Sequence, residues 1–287
     1  MSWLQALLLG LVQGLTEFLP VSSSGHLMIV RELLGVDSEG FLDFTVTVHL
    51  ATVLSTIIVF WKPICKLLAG LFKFKYNDET DYIFKLVVSM VPVALVGFLF
   101  KDKVESLFGD SLTTVAVCLI ITAVLLFLSD LFGNGSVRKR ISKVPTAAVG
   151  EPAEPIAGAR NGINFWQAFV VGIGQALAVA PGLSRSGTTI ATGLLCGVKR
   201  SVMAQFSFLM VLVPILGEQF LDIMKAVSGE ASIGGGLGPL CLAVGFVSAF
   251  LAGLFACKAM VALVRKAKLG WFALYCAIVA VLIFIIA

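Results

Sequence analysis

Long apolar runs alternate with short polar turns along this chain, and a run of about 20 residues is what a helix needs to cross a bilayer. Six runs meet that length, near 42–61, 83–100, 112–132, 202–222, 238–258 and 270–287, and each predicts a transmembrane helix. Two further apolar regions fail as single spans. Residues 3–30 are broken by Gly10, Gly14, Pro20 and the cluster Ser22–Gly25; residues 164–198 are broken by Pro181, Gly182 and the cluster Ser184–Gly187. After the second break, Thr188 to Val198 gives a helix of only about 16 Å, half the thickness of the hydrocarbon core. Both regions therefore predict re-entrant helix–loop–helix pairs, whose irregular backbone is tolerable at depth only when buried in protein or lining a wet cavity.

The two broken regions are copies. Moving the sequence by 162 positions places Gln13 on Gln175, Leu15 on Leu177, Ser22 on Ser184, Ser24 on Ser186 and Gly25 on Gly187, and further on Phe44 on Phe206 and Thr45 on Ser207. Each copy is one re-entrant pair followed by three spans. Three is odd, so the second copy enters the membrane upside down. The expected architecture is an all-α integral membrane protein with an inverted-topology repeat: a first repeat over 1–132, a cytoplasmic linker over 133–162, and a second repeat over 163–287. Broken segments in corresponding halves point to a site at the midplane.

Composition agrees. Of 287 residues 59% are hydrophobic and 13% charged, and mean hydropathy is +1.01; a soluble domain has about a quarter charged. The net charge of +4 sits mostly in loops and speaks to topology, not to nucleic acid. With these spans, sixteen Lys and Arg fall on one side of the membrane and four on the side of the N-terminus, with Arg185 inside. The positive-inside rule makes the richer side cytoplasmic, so both termini and the mouth of the first loop are expected on the outer face. The six cysteines lie singly in apolar runs and indicate neither zinc nor a disulfide framework. No cleavable signal peptide is expected, because the start lacks a basic region.

The chemistry concentrates in the breaks. No charged residue precedes Glu17, and none follows it until Arg31. An ionisable group at that depth is costly unless it has a partner or lines a cavity, which makes Glu17 a candidate functional residue. Gln13 lies one helical turn before it. Ser23 and His26, three apart, would face one cavity, and a serine beside a base is the arrangement of an activated nucleophile; His26 could equally be the nucleophile or protonate a leaving group. In the second break Arg185 lies between Ser184 and Ser186 at the start of a short helix, with Thr189 beyond. Helix N-terminus, hydroxyls and guanidinium together suit a phosphate. A structural Glu17–Arg185 bridge is compatible with that reading. His49, alone in an apolar run, is expected to be hydrogen-bonded to a neighbour.

The stretches E-F-L-P-V-S-S-S-G-H (17–26) and P-G-L-S-R-S-G-T-T (181–189) resemble the two signature motifs of the undecaprenyl-diphosphatase family, also called the bacitracin-resistance protein. Gln13 and Glu17 match that family's upstream (E/Q)-x-x-x-E, and F-S-F-L at 206–209 and V-P at 91–92 extend the likeness along the chain. The resemblance implies hydrolysis of undecaprenyl diphosphate to the monophosphate, which recycles the lipid carrier for cell-wall polymers in a bacterial plasma membrane. It implies Glu17, Ser23, His26 and Arg185 as catalytic, with Gln13, Ser22, Ser24, Ser184, Ser186 and Thr189 around the diphosphate. It further implies a divalent cation, magnesium or calcium, with Glu17 as a ligand; Gln13 would then be a neutral variant of a carboxylate. The expected partners are the polyprenyl diphosphate and membrane lipid, with a second copy of the chain as a candidate and no nucleic acid. A polyprenyl-phosphate flippase is the alternative, since broken helices at midplane also suit alternating access; a carrier, however, needs no nucleophile–base pair.

Overall fold

A computed structural model describes residues 1–37, 40–99, 111–141, 160–180, 182–227, 237–266 and 268–286. The described residues form helices and no strands. In chain order these are α1 (Trp3–Thr16), α2 (Ser23–Leu33), α3 (Phe41–Val59), α4 (Trp61–Leu71), α5 (Asp78–Leu99), α6 (Leu112–Ile141), α7 (Phe165–Leu177), α8 (Arg185–Leu195), α9 (Arg200–Val227), α10 (Pro239–Lys266) and α11 (Gly270–Ile286).

Four of the six expected spans are long and apolar enough to cross a membrane as single helices: α5, α6, α9 and α10. The expected span at 42–61 becomes α3, which turns by 72° at Phe60 into α4, and the pair counts as a fifth span only if taken together. The last run, α11, is a shorter apolar helix. Boundaries also differ. Helix α5 begins at Asp78, five residues before the apolar run, because Asp78, Glu79 and Asp81 in its first turn suit the positive end of the helix dipole. Helix α6 continues to Ile141, so the expected linker starts later than Gly133; residues 142–159 lie outside the described residues, as does Pro181.

Both broken regions are broken where the Pro, Ser and Gly clusters fall. Helix α1 ends at Thr16 and α2 starts at Ser23; α7 ends at Leu177 and α8 starts at Arg185. The two regions also share hydrogen bonds at the 162-residue offset. Ser2 and Gln5 form a capping box on α1, and Asn164 and Gln167 form the same box on α7. The Gln5 amide then donates to the Leu34 carbonyl at 3.0 Å, and the Gln167 amide to the Cys196 carbonyl at 3.0 Å. Ser22 Oγ accepts from the Gly25 amide at 3.3 Å; Ser184 Oγ accepts from the Gly187 amide at 3.1 Å.

The paired helices pack crosswise. Helix α1 lies along α10 from the other end of the chain, and α7 lies along α5. Small residues permit the approach: a Cβ on Gly10 would stand 2.5 Å from the Gly245 carbonyl oxygen, and one on Gly172 2.2 Å from the Ser89 carbonyl oxygen. Close backbone contact of this kind drives helix association where lipid offers no hydrophobic contrast. Phe44 and Phe206 are fully buried in two separate clusters. This packing holds the two breaks against each other.

Candidate active site

The breaks meet directly. Ser186 Oγ donates to the Leu19 carbonyl at 3.1 Å, and the Gly182 amide donates to Ser24 Oγ at 3.4 Å. Four elements then enclose a small cavity. Its polar side carries Glu17, Arg185, Ser186, Thr52 and Thr56; its apolar side carries Val53, Phe208, Leu212 and Ile215. Arg185 and His49 both lie within electrostatic reach of the Glu17 carboxylate. An acid from one break and a cation from the other thus share one recess, with α3 and α9 as its walls.

Glu17 is the hub of the first break. Its Oε2 accepts from Ser23 Oγ at 2.5 Å and from Gln13 Nε2 at 2.8 Å. The first distance is that of a charge-assisted O–H···O⁻ bond. The geometry therefore corrects the expected pairing: the Ser23 hydroxyl is committed to Glu17, not to His26. His26 is held elsewhere, with Nδ1 2.8 Å from the Ser22 carbonyl oxygen and Nε2 2.8 Å from the hydroxyl of Tyr275 on α11. The reason is local: on the turn that opens α2, Ser23 points back to the end of α1, while His26 points toward α11. The turn itself is strained. Ser22 has φ of 69°, one of three non-glycine positive φ values among the described residues, and such strain concentrates at functional sites.

The other expected residues divide. Arg185 and Ser186 line the cavity, and Ser24 joins the breaks. Ser22 and Ser184 spend their hydroxyls as helix caps and are almost fully buried. Thr189 is buried, with its hydroxyl 2.6 Å from Ser207 on α9 and bonded to the Arg185 carbonyl of its own helix, so it ties the second break to α9. Two residues escaped the motif reading. His49 does bond a neighbour, the Thr45 carbonyl at 2.8 Å, as expected of it, yet its Nε2 also comes within 3.8 Å of Glu17 Oε2. Tyr275 carried no signal, since a tyrosine in a terminal apolar helix reads as an interfacial anchor.

The family model for the bacitracin resistance protein BacA matches residues 6–282. The chain belongs to the BacA family. It is similar over its full length to the undecaprenyl-diphosphatase of Bacteroides fragilis, at 48% identity and covering 99% of that protein. It is similar to the undecaprenyl-diphosphatase of Parabacteroides distasonis at 49% identity, over 97% of this chain and 96% of that one. The likeness extends to the undecaprenyl-diphosphatase of Methanobrevibacter smithii, at 34% identity over 99% of this chain and 97% of that protein. Within this BacA-family chain, both signature motifs fall on the two breaks, and the breaks are where the acid and the guanidinium meet.

Proposed function

We propose that this protein is a multi-pass membrane phosphatase that hydrolyses undecaprenyl diphosphate to undecaprenyl phosphate and inorganic phosphate. The observation that carries the reading is the Ser23–Glu17 bond at 2.5 Å in a recess shared with Arg185. Full-length similarity to undecaprenyl-diphosphatases supplies the substrate. A flippase needs no such pair and is not favoured.

Phosphoryl transfer asks a protein mainly to position groups and neutralise charge on the phosphoryl oxygens. Arg185 does the second with planar donors that stay charged when desolvated. Ser23 Oγ attacks the terminal phosphorus in line as its proton passes to Glu17. The bond from that phosphorus to the bridging oxygen breaks, and undecaprenyl phosphate leaves with the electron pair. Water then attacks the phosphoserine, giving up a proton to the site as inorganic phosphate departs and the Ser23 hydroxyl is restored. Val53, Phe208, Leu212 and Ile215 keep the other side of the recess apolar, which suits the first units of a polyprenyl chain and excludes competing water. His26 has a defined ring orientation, with both ring nitrogens engaged, by the Ser22 carbonyl and the Tyr275 hydroxyl.

A divalent cation fits the residues present. Gln13 Oε1 is buried without a hydrogen-bond partner, beside the Glu17 carboxylate. Among the described residues no group of three or more His, Cys, Asp or Glu gathers, so the protein would supply two oxygen ligands and the diphosphate the rest, the usual arrangement for magnesium. When bound, such an ion polarises the phosphoryl oxygens as a Lewis acid.

The topology we propose is six transmembrane helices and two re-entrant pairs in two inverted repeats, 1–132 and 163–287, joined through a cytoplasmic linker. The capping boxes and glutamine bonds repeated at the 162-residue offset support it. Its place would be the bacterial plasma membrane, with termini and site mouth outward; the Lys/Arg asymmetry supports that orientation. A homodimer is compatible with this arrangement. The test is phosphate release from a polyprenyl diphosphate by purified protein, with and without chelator. Arg185→Ala should lose activity by at least about 100-fold, the scale of a lost transition-state contact. Release that survives this substitution, or none from the wild type, overturns the reading.

A further inference from the structure

Helix α4 has a surface that the phosphatase reading leaves unused. Helix α3 spends 19 residues, about 28 Å, which already matches the hydrocarbon core. The chain then turns by 72° at Phe60, so α4 leaves α3 at a steep angle. Its three faces differ in kind. Ile64 and Leu67 pack into the protein core, and Gly70 lets Glu79 of α5 close against the helix. Trp61, Cys65, Leu68 and Phe72, spaced four, three and four apart, form one exposed apolar stripe. Lys62 and Lys66 occupy the adjoining exposed face, and exposed Lys73 and Lys75 follow, alternating with Phe72 and Phe74. Phe74, at 91% exposed, touches almost nothing in the chain.

A helix inside the hydrocarbon would not expose a stripe of lysines, and a segment in water would not expose tryptophan and two phenylalanines. Both faces are satisfied at a single place, the headgroup boundary, with the helix lying in the membrane plane. There aromatic rings sit at the level of the glycerol backbone and lysine stems reach outward to the headgroups. Lys66 meets Glu79 at 3.7 Å yet stays 78% exposed, so its charge remains available. We propose that α4 with the following turn, 61–75, is an interfacial binding surface for acidic phospholipid headgroups. The four lysines meet the lipid phosphates, and the Trp61, Leu68 and Phe72 stripe seats in the acyl boundary. Since α3 carries Thr52, Val53 and Thr56 into the recess, this anchorage also fixes the depth of one wall of the site.

The experiment uses full-length protein in vesicles of phosphatidylcholine alone or mixed equally with phosphatidylglycerol. Four tryptophans are present, so Trp61 is isolated by subtracting the fluorescence of Trp61→Phe. Its emission should be quenched more by lipids brominated near the headgroup than by lipids brominated near the chain end. Quenching from the chain end would make α4 a crossing segment, and no quenching from either would place the stripe against water or a second copy; both overturn the proposal. Retention of phosphatidylglycerol during detergent extraction should fall about fivefold for each of Lys62→Gln and Lys66→Gln, the effect of one basic side chain at an acidic surface. Equal retention in wild type and double variant would remove the acidic-lipid specificity. Neither readout depends on phosphatase activity, so failure here is distinct from failure of the enzyme reading.

Discussion

The hydroxyl of Tyr275 stands 2.8 Å from Nε2 of His26, and their rings stack at 5.6 Å and 10°, although 249 residues separate them. The other ring nitrogen, Nδ1, faces the Ser22 carbonyl oxygen, which can only accept. In the neutral ring the proton therefore sits on Nδ1 and Nε2 accepts from Tyr275. The last helix of the chain thus fixes the tautomer and the plane of a residue in the first break.

Tyr275→Phe should keep the stack and lose the hydrogen bond. A neutral hydrogen bond contributes about 1 kcal/mol, so kcat should fall about fivefold with KM little changed. The decisive readout is spectroscopic. The chain has only two histidines, and ring-nitrogen NMR of labelled protein should show the Nε2 signal of His26 move in the variant. Unchanged ring signals would mean that the hydroxyl and the imidazole are not bonded in the working protein.

Glu17 and Ser23 make separable predictions, because one is assigned the proton and the other the phosphoryl group. Glu17→Gln preserves shape and removes the base, and phosphate release should drop by about 10²- to 10⁴-fold. Ser23→Ala should abolish any phosphorylated protein trapped by rapid acid quenching of a labelled polyprenyl diphosphate reaction. If Ser23→Ala releases phosphate at the wild-type rate, water attacks directly and the serine only steadies Glu17.

The broken segments, their repetition and the approach of Glu17 to Arg185 were legible in the sequence because each rests on local chemistry. Gly, Pro and Ser interrupt an apolar run whatever surrounds them, and a lone carboxylate in hydrocarbon demands a partner. The partner of His26 was not legible. Spacing placed Ser23 and His26 on one turn, but the direction of each side chain depends on the positive φ at Ser22 and on where α11 packs, both tertiary facts. The roles of Ser22, Ser184 and Thr189 were hidden for a similar reason. A hydroxyl in a motif can serve a ligand, a helix cap or a neighbouring helix, and only packing decides. Hydropathy likewise gave the apolar length at 42–61 without the 72° turn at Phe60.

Lys85 shows how the second half of the chain is tied to the first. It is 2% exposed, pairs with Asp81 at 2.5 Å and donates to the Arg160 carbonyl at 2.7 Å, while Asn161 donates to Asp81 at 3.3 Å. Lys85→Met alone leaves a buried carboxylate without its counter-charge, and breaking such a pair costs about 3–5 kcal/mol. Thermal unfolding in detergent should therefore show a clear loss. Adding Asp81→Leu should restore part of it, since an apolar pair of similar size does not need charge compensation. A double variant less stable than the single one would mean that Asp81 matters through Tyr76 and Asn161, its other partners, more than through Lys85.

Gly10 and Gly172 occupy equivalent positions of the two repeats, but their surroundings rank the cost of filling them. At Gly10 a methyl group would meet the Ser248 side chain at 2.0 Å and the Gly245 carbonyl oxygen at 2.5 Å; the serine can turn aside, the carbonyl cannot. At Gly172 the three nearest atoms, from 2.2 to 2.9 Å, all belong to the Ser89 backbone. Relief there requires α7 and α5 to separate. Overpacking of this kind costs about 1–3 kcal/mol, and Gly172→Ala should lie at the upper end and above Gly10→Ala. Because α7 leads into the break that carries Arg185, Gly172→Ala should also lower phosphate release more than its loss of stability accounts for. Gly10→Ala presses on α1, which leads to Glu17, and should act through the acid instead. Equal thermal shifts for the two would show that the helices adjust freely, and that close backbone approach is not what holds the breaks in register.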